Sequence, residues 1–312
     1  MTRLAFVFPG QGSQSVGMMG DFGDLQPVVD KTFEQASDAL SEDIASIIRR
    51  GPVETLNQTE VTQPAMLAAG IAAWRVWRTA KLPNAELLAG HSLGEYTALV
   101  AGGALDFGDA LRLVAERGRL MQYAVPEGQG AMAAIIGLSD EQVEEACRSV
   151  EQGVVSPVNY NSPGQVVIAG DKAAVEQAME QAKALGAKRA LPLPVSVPSH
   201  CSLMQPAAEK LYDYLKHVAI APPRVPVIHN QSADVADTPE AIRERLRDQL
   251  FQPVRWVECV HKLRDMGADT LVELGPGKVL TGLARRIDKS LGALPVFDAA
   301  SLEKAQQQLS GE

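Results

Sequence analysis

The pentapeptide Gly90-His91-Ser92-Leu93-Gly94 constrains this chain more than any other stretch. Leu87, Leu88 and Ala89 before it read as the end of a buried strand, and Glu95 to Ala101 after it as a helix. A strand that turns at once into a helix forces its central residue into a strained backbone conformation. It also draws the flanking chain so close that a Cβ must be absent on both sides. In that setting G-x-S-x-G is the pattern of a nucleophile elbow. Ser92 is then held at the head of the helix, where the Leu93 N–H and the positive end of the helix point to where an oxyanion would form. A glycine-rich turn with an incidental serine would carry the same five letters, so the rest of the chain has to decide.

Leu4 to Phe8 is a continuous apolar run, which predicts a strand buried on both faces of a parallel sheet. It leads into Pro9-Gly10-Gln11-Gly12-Ser13-Gln14. This loop matches half of a dinucleotide fingerprint, but Ser15 stands at the third glycine and no strand ending in an acid follows, so nucleotide binding is not expected. A loop at the carboxyl end of a central strand is still a ligand site in α/β sheets, and Gln11 can offer its N–H there. Pro27 to Arg50 shows helical spacing. Thr62 reads as a cap and Pro64 as first-turn residue of an apolar helix ending near Arg78, with Gln63 either in the cap region or facing the site.

Asp106 to Tyr123 reads as a helix on whose apolar stripe (Ala110, Leu113, Val114, Leu120 and Met121) Arg117 is the one cation. A buried guanidinium requires an anion. The partner is either an internal carboxylate such as Glu95 or Glu116, or a substrate carboxylate gripped by two parallel hydrogen bonds. After the break at residues 126–130 the pattern is β-α-β-β-α-β, with a hairpin turn at residues 161–164. That order predicts a ferredoxin-like subdomain over 126–197, inserted between the two parts, 1–125 and 198–312, of a larger α/β domain.

Of the five histidines, His217 and His261 lie on polar helical stretches, His91 adjoins the elbow, and His229 ends a strand. His200 sits on an irregular segment where the chain re-enters the large domain, the kind of place that carries catalysis. His229 is its rival as base. A charged helix from Thr238 to Phe251 ends before Pro253, with Gln252 preceding it, so its final carbonyls are expected to be unbonded and one of them placed to orient an imidazole.

Composition narrows the classes. A formal net charge of −9 argues against nucleic acid as partner. Three cysteines without a C-x-x-C pair, and no signal-peptide pattern or membrane-length apolar run, point to a reducing, cytoplasmic setting with no metal site.

Eight ordered motifs then combine: P-G-Q-G-S-Q (9–14), T-Q-P-A (62–65), G-H-S-L-G-E-Y (90–96), R-G-R-L-M (117–121), N-x-N-S-P-G-Q (159–165), V-P-S-H (197–200), F-Q-P-V-R-W (251–256) and E-L-G-P-G (273–277). Together, and nearly end to end, they resemble the malonyl-CoA:acyl carrier protein transacylases of fatty acid synthesis. The resemblance implies an α/β-hydrolase-like catalytic domain with no cofactor, and malonyl-CoA and acyl carrier protein as partners. It implies Ser92 as nucleophile, His200 as base, the Gln252 carbonyl as its orienter, and the Gln11 and Leu93 N–H groups as oxyanion hole. Arg117 would hold the malonyl carboxylate, with Gln63, Met121, His91 and Asn161 completing the substrate site. Lys188 with Arg189, and Arg285 with Arg286, are candidate docking patches for an acidic carrier protein. A serine thioesterase or esterase of related fold is the alternative, and a non-catalytic carrier-binding module a third reading.

Overall fold

The computed structural model describes residues 2–195 and 197–311. Its strands are β1 (Leu4–Phe8), β2 (Leu87–Gly90), β3 (Gly130–Ile136), β4 (Val155–Ser162), β5 (Gln165–Asp171), β6 (Arg189–Pro192), β7 (Val227–His229), β8 (Asp234–Val235), β9 (Thr270–Leu274) and β10 (Gly292–Val296). They form a six-stranded sheet of order β10-β9-β1-β2-β7-β8 and a four-stranded sheet of order β4-β5-β3-β6. In the larger sheet β10 through β7 run parallel and only β8 is antiparallel.

The side-chain alternation of β1 explains the layering. Leu4, Phe6 and Phe8 point into one core with Trp77 and the helices Gln26–Leu40, Thr59–Thr79 and Phe107–Gln122. Ala5 and Val7 point into the other, with Trp256 and Leu283 from helices Trp256–Asp265 and Val279–Ile287. A sheet covered on both faces needs continuously apolar strands, and that is what residues 4–8 supply.

The smaller sheet is antiparallel throughout. Ile135, Val166 and Ile168 pack on one face under helices Asp140–Arg148 and Lys172–Ala184. The other face, with Met132, Val158 and Val167, turns towards the larger sheet. The smaller sheet is tied to the segment before helix Trp256–Asp265, where Tyr160 N donates to Val254 O (3.0 Å) and Val254 N donates to Val158 O (2.8 Å). Among the described residues no helix is long and apolar enough to cross a membrane.

Two element boundaries differ from expectation. The helix around Gln63 begins at Thr59, with Gln58 at its N-cap, so Pro64 lies inside it. Thr62 is no cap: its hydroxyl donates back to Leu56 O and Gln58 O, so it closes the preceding turn onto the helix. The charged helix runs Pro239–Gln249, two residues short of the expected end, and this moves its terminal carbonyls upstream.

Candidate active site

The elbow's glycines are required by contact as well as by the turn. A Cβ on Gly90 would fall 1.9 Å from the carbonyl of Gly94, and one on Gly94 would fall 2.0 Å from Phe8 O. Across the turn Ser92 adopts φ 51°, the left-handed region, and His200 adopts φ 66°. Strained non-glycine residues of this kind cluster at functional sites. The two meet: Ser92 Oγ lies 2.7 Å from His200 Nε2.

His200 Nδ1 lies 2.6 Å from the main-chain oxygen of Gln249, and the main-chain N–H of His200 donates to Leu250 O (2.9 Å). A carbonyl only accepts, so Nδ1 carries the hydrogen and Nε2 is left to accept from Ser92. The orienting carbonyl therefore belongs to Gln249 and not to Gln252. Because the helix ends at Gln249, its last carbonyl is the free one there. Gln252 lies one turn further on, where its N–H donates to Asp248 O and its side chain accepts from Gln231. Burial, then the charge of Arg117, push the His200 imidazole down to about 3, against a lesser opposing pull from the Gln249 carbonyl. His200 is thus neutral and able to accept a proton across the neutral range. The rival, His229, is fully buried and bonded through Nδ1 to Glu95 (2.7 Å), away from the cavity.

Arg117 is buried at 1% exposure. Its Nη1 donates to Gln63 Oε1 (2.8 Å) and its Nη2 to Gln249 Oε1 (3.0 Å), and Nε has no partner among the described residues. The guanidinium also lies 5.4 Å from the Tyr96 ring centroid. Neither expected internal acid pairs with it. Glu116 is taken by Arg119, and Glu95 accepts from His229, Asn230 and Gln249. Among the described residues the hydrogen-bond acceptors of Arg117 are neutral amides, the Tyr96 ring lies beside it, and burial lowers its pKa. Gln63 is thus a buried partner of Arg117, with its Nε2 towards Met121 Sδ (3.5 Å).

Ser92, His200, Arg117, Met121, His91, Gln11 and Leu93 line one cavity of about 120 Å³ whose far wall includes Met132 and Leu193 of the smaller sheet and the segment after it. The N–H groups of Gln11 and Leu93 have no protein acceptor among the described residues. His91 Nε2 lies 2.7 Å from Asn161 Oδ1, and burial lowers the pKa of that imidazole. Both line a neighbouring groove of about 260 Å³, which runs past Gln165, Val279 and Leu283 to the surface. Gln63 and Asn161 are not on the wall of the cavity itself.

Sequence reasoning missed three residues here. Gln249 carried a signal, as the last helical glutamine before the Pro253 stop. Glu95 offers itself from the sequence only as a possible ion-pair partner of Arg117. Asn230, which accepts from Ser92 N (2.6 Å), had no local signal at all, since its neighbour in space lies 138 positions away.

An activated serine, a neutral imidazole and a fixed buried cation in one cavity define an acyl-transfer site, and the comparisons agree. Residues 5–310 match the family model described as the acyl transferase domain, and the chain belongs to that family. Among its relatives, the malonyl CoA-acyl carrier protein transacylase of Salmonella typhimurium is 53% identical over 309 residues, 99% of this chain and 100% of that protein. That of Bacillus subtilis is 44% identical over 314 residues, 100% of this chain and 99% of the other. The crystal structure of an acyl carrier protein S-malonyltransferase from Vibrio cholerae superposes with a TM-score of 0.94 at 54% identity, covering 97% of this chain and 100% of that one. A malonyl-transacylase solved in complex with a type II PKS acyl-carrier protein gives a TM-score of 0.96 at 53% identity, covering 98% and 100%.

Proposed function

We propose that this chain transfers a malonyl group from malonyl-CoA to the phosphopantetheine thiol of acyl carrier protein, in the cytoplasm, for fatty acid biosynthesis. The observation that carries this reading is Arg117. A buried guanidinium whose hydrogen-bond acceptors among the described residues are amides, on the same cavity as the Ser92–His200 pair, is a receptor for a carboxylate. The larger sheet and its helices form an α/β-hydrolase-like catalytic domain, 1–125 and 198–312, and residues 126–197 form a ferredoxin-like subdomain that roofs the site. The strand order β4-β5-β3-β6 supports the latter.

In the first half-reaction Ser92 Oγ attacks the thioester carbonyl while His200 Nε2 takes its proton. The oxygen becomes an oxyanion facing the N–H groups of Gln11 and Leu93; one such donor is worth ~2.7–4 kcal/mol of barrier. The intermediate collapses, the C–S bond breaks, and the CoA sulfur leaves with the proton that His200 returns. The malonyl group remains as an ester on Ser92, its free carboxylate on Arg117. The carrier thiol then repeats the sequence in reverse, giving its proton to His200 as its sulfur attacks the ester. An acetyl group would leave Arg117 without its anion, so selectivity is built into the same cavity. His91 and Asn161 flank the groove through which the thiol-bearing arm of either substrate enters.

Intact-mass measurement after incubation with malonyl-CoA tests the reading. A malonyl adduct absent from Ser92→Ala and discharged by carrier protein supports transfer. Steady release of free malonate without carrier makes the chain a thioesterase, and no adduct at all removes catalysis.

A further inference from the structure

The mechanism leaves the fully buried carboxyl group of Glu95 without a task. Glu95 follows the elbow directly, and its carboxylate has no solvent contact. Three donors converge on it: His229 Nδ1 (2.7 Å), the main-chain N–H of Asn230 (2.8 Å) and Gln249 Nε2 (2.9 Å). Two of those donors reach back to the reacting groups. Asn230 Oδ1 accepts from Ser92 N (2.6 Å) while Asn230 Nδ2 donates to Gly90 O (2.7 Å). Gln249 Nε2 also donates to Ser92 O (2.9 Å).

Both main-chain polar groups of the strained serine are therefore clasped by amide side chains; Glu95 anchors the Gln249 amide directly and holds Asn230 through its main-chain N–H. The second consequence concerns direction. The Gln249 side chain has an oxygen end and a nitrogen end of nearly the same shape. Both Glu95 oxygens accept, from His229, Asn230 and Gln249, so the nitrogen end of Gln249 is drawn to them and its oxygen end turns towards Arg117 Nη2. With the amide reversed, N–H would face N–H and the guanidinium would lose that support.

We propose that Glu95 is a positioning residue that couples the nucleophile to the selectivity arginine: through Asn230 it holds the elbow, and through Gln249 it fixes the facing of Arg117. The Arg117 half of this proposal rests on the malonyl-transfer reading; the Ser92 half does not. His229 supplies the adaptable contact, because its Nε2 has no partner among the described residues and the ring can change tautomer. A glutamine at position 95 can then keep its oxygen towards Asn230 and Gln249 and offer its NH₂ to His229.

The test compares Glu95→Ala and Glu95→Gln by two readouts, each normalised to folded protein by thermal melting. The first is the rate at which a small uncharged fluorophosphonate modifies Ser92, which requires no carboxylate recognition. The second is the ratio of kcat/KM for malonyl-CoA to that for acetyl-CoA. Glu95→Ala should slow phosphonylation about 100-fold, the scale of ångström-level misplacement, and lower the ratio at least about tenfold. Glu95→Gln should stay within about fivefold of wild type in both. A folded Glu95→Ala that matches wild type in both readouts overturns the proposal. If Glu95→Ala does not fold, Asn230→Ala decides: it should slow phosphonylation, and an unchanged rate overturns the proposal. A wild-type enzyme that phosphonylates readily yet shows no preference for malonyl-CoA would sink the transfer reading while leaving the elbow test intact.

Discussion

The imidazole of His200 is pinned at both ends, Nδ1 at 2.6 Å from the Gln249 carbonyl and Nε2 at 2.7 Å from Ser92 Oγ. A carbonyl in place of a triad acid changes the electrostatics of the base. An ionised acid beside an imidazole raises its pKa, whereas here burial and the Arg117 charge dominate and hold it near 3, well below 6.5. The base is functional when neutral, so lowering its pKa extends activity towards acid. The rate of Ser92 malonylation should therefore stay flat between about pH 5 and 7, with no inflection near 6.5. Arg117→Ala removes one depressing cause and should move the acid limb upwards. Stopped-flow acylation across pH checks both; a wild-type limb at 6.5 would contradict the assignment.

The same depressed pKa has a thermodynamic sign. Below 6.5 the unfolded imidazole takes a proton that the folded one refuses until about 3. Stability due to this group is thus complete above the unfolded pKa and lost as pH falls towards the folded one, at up to about 1.4 kcal/mol per pH unit. His200→Gln should flatten the acid limb of Tm against pH over that window, and a limb of unchanged slope would show that other groups govern it.

The proposed role of Arg117 in specificity rests on what it lacks. Gln63 and Gln249 satisfy two of its donors without neutralising it. Removing one partner of a buried charged pair typically costs ~2–5 kcal/mol, so Arg117→Ala should lower kcat/KM for malonyl-CoA by at least about 30-fold. Acetyl-CoA should lose far less and become the comparable or better substrate. A parallel fall for both acyl groups would mean that Arg117 supports the fold and not the choice of substrate.

Ser92 at φ 51° stores strain that only its hydroxyl justifies. Glycine relieves a left-handed conformation by about 1 kcal/mol, which offsets its extra entropy in the unfolded chain. Ser92→Gly should therefore melt no lower than Ser92→Ala, though neither forms a malonyl ester. Denaturant melts of the two variants decide this, and a Gly variant less stable by more than about 1 kcal/mol would remove the strain argument.

What could be read from the residues follows the range of the forces involved. The elbow, β1 and the Arg117 stripe were legible because strand alternation, the helical period and glycine sterics act within a few residues. The end of the helix at Gln249 was missed by two residues, since both Gln249 and Gln252 precede Pro253 and only tertiary contact with His200 chooses between them. Glu95 was visible but misassigned. Its true partners, His229, Asn230 and Gln249, come from two later crossovers of the chain, and nothing local says that an acid beside an arginine's helix will bind amides instead.

Carrier recognition turns on where one basic pair sits. Arg285 and Arg286 are exposed at the end of the helix Val279–Ile287. Arg286 donates to Gln165 Oε1 (2.7 Å), and Gln165, Val279 and Leu283 line the groove that leads past His91 to the cavity. Lys188 and Arg189 are exposed as well but line neither the groove nor the cavity. A protein of net charge −9 needs a local basic surface to receive an acidic partner, and a pair at the groove mouth would set the partner's arm over the opening. Reversing both charges, Arg285→Glu with Arg286→Glu, should raise KM for carrier protein about tenfold or more and weaken its dependence on salt, while KM for malonyl-CoA stays put. Equal changes in the two constants would place docking elsewhere. The same reversal at Lys188 and Arg189 serves as the control and should leave both constants near wild type.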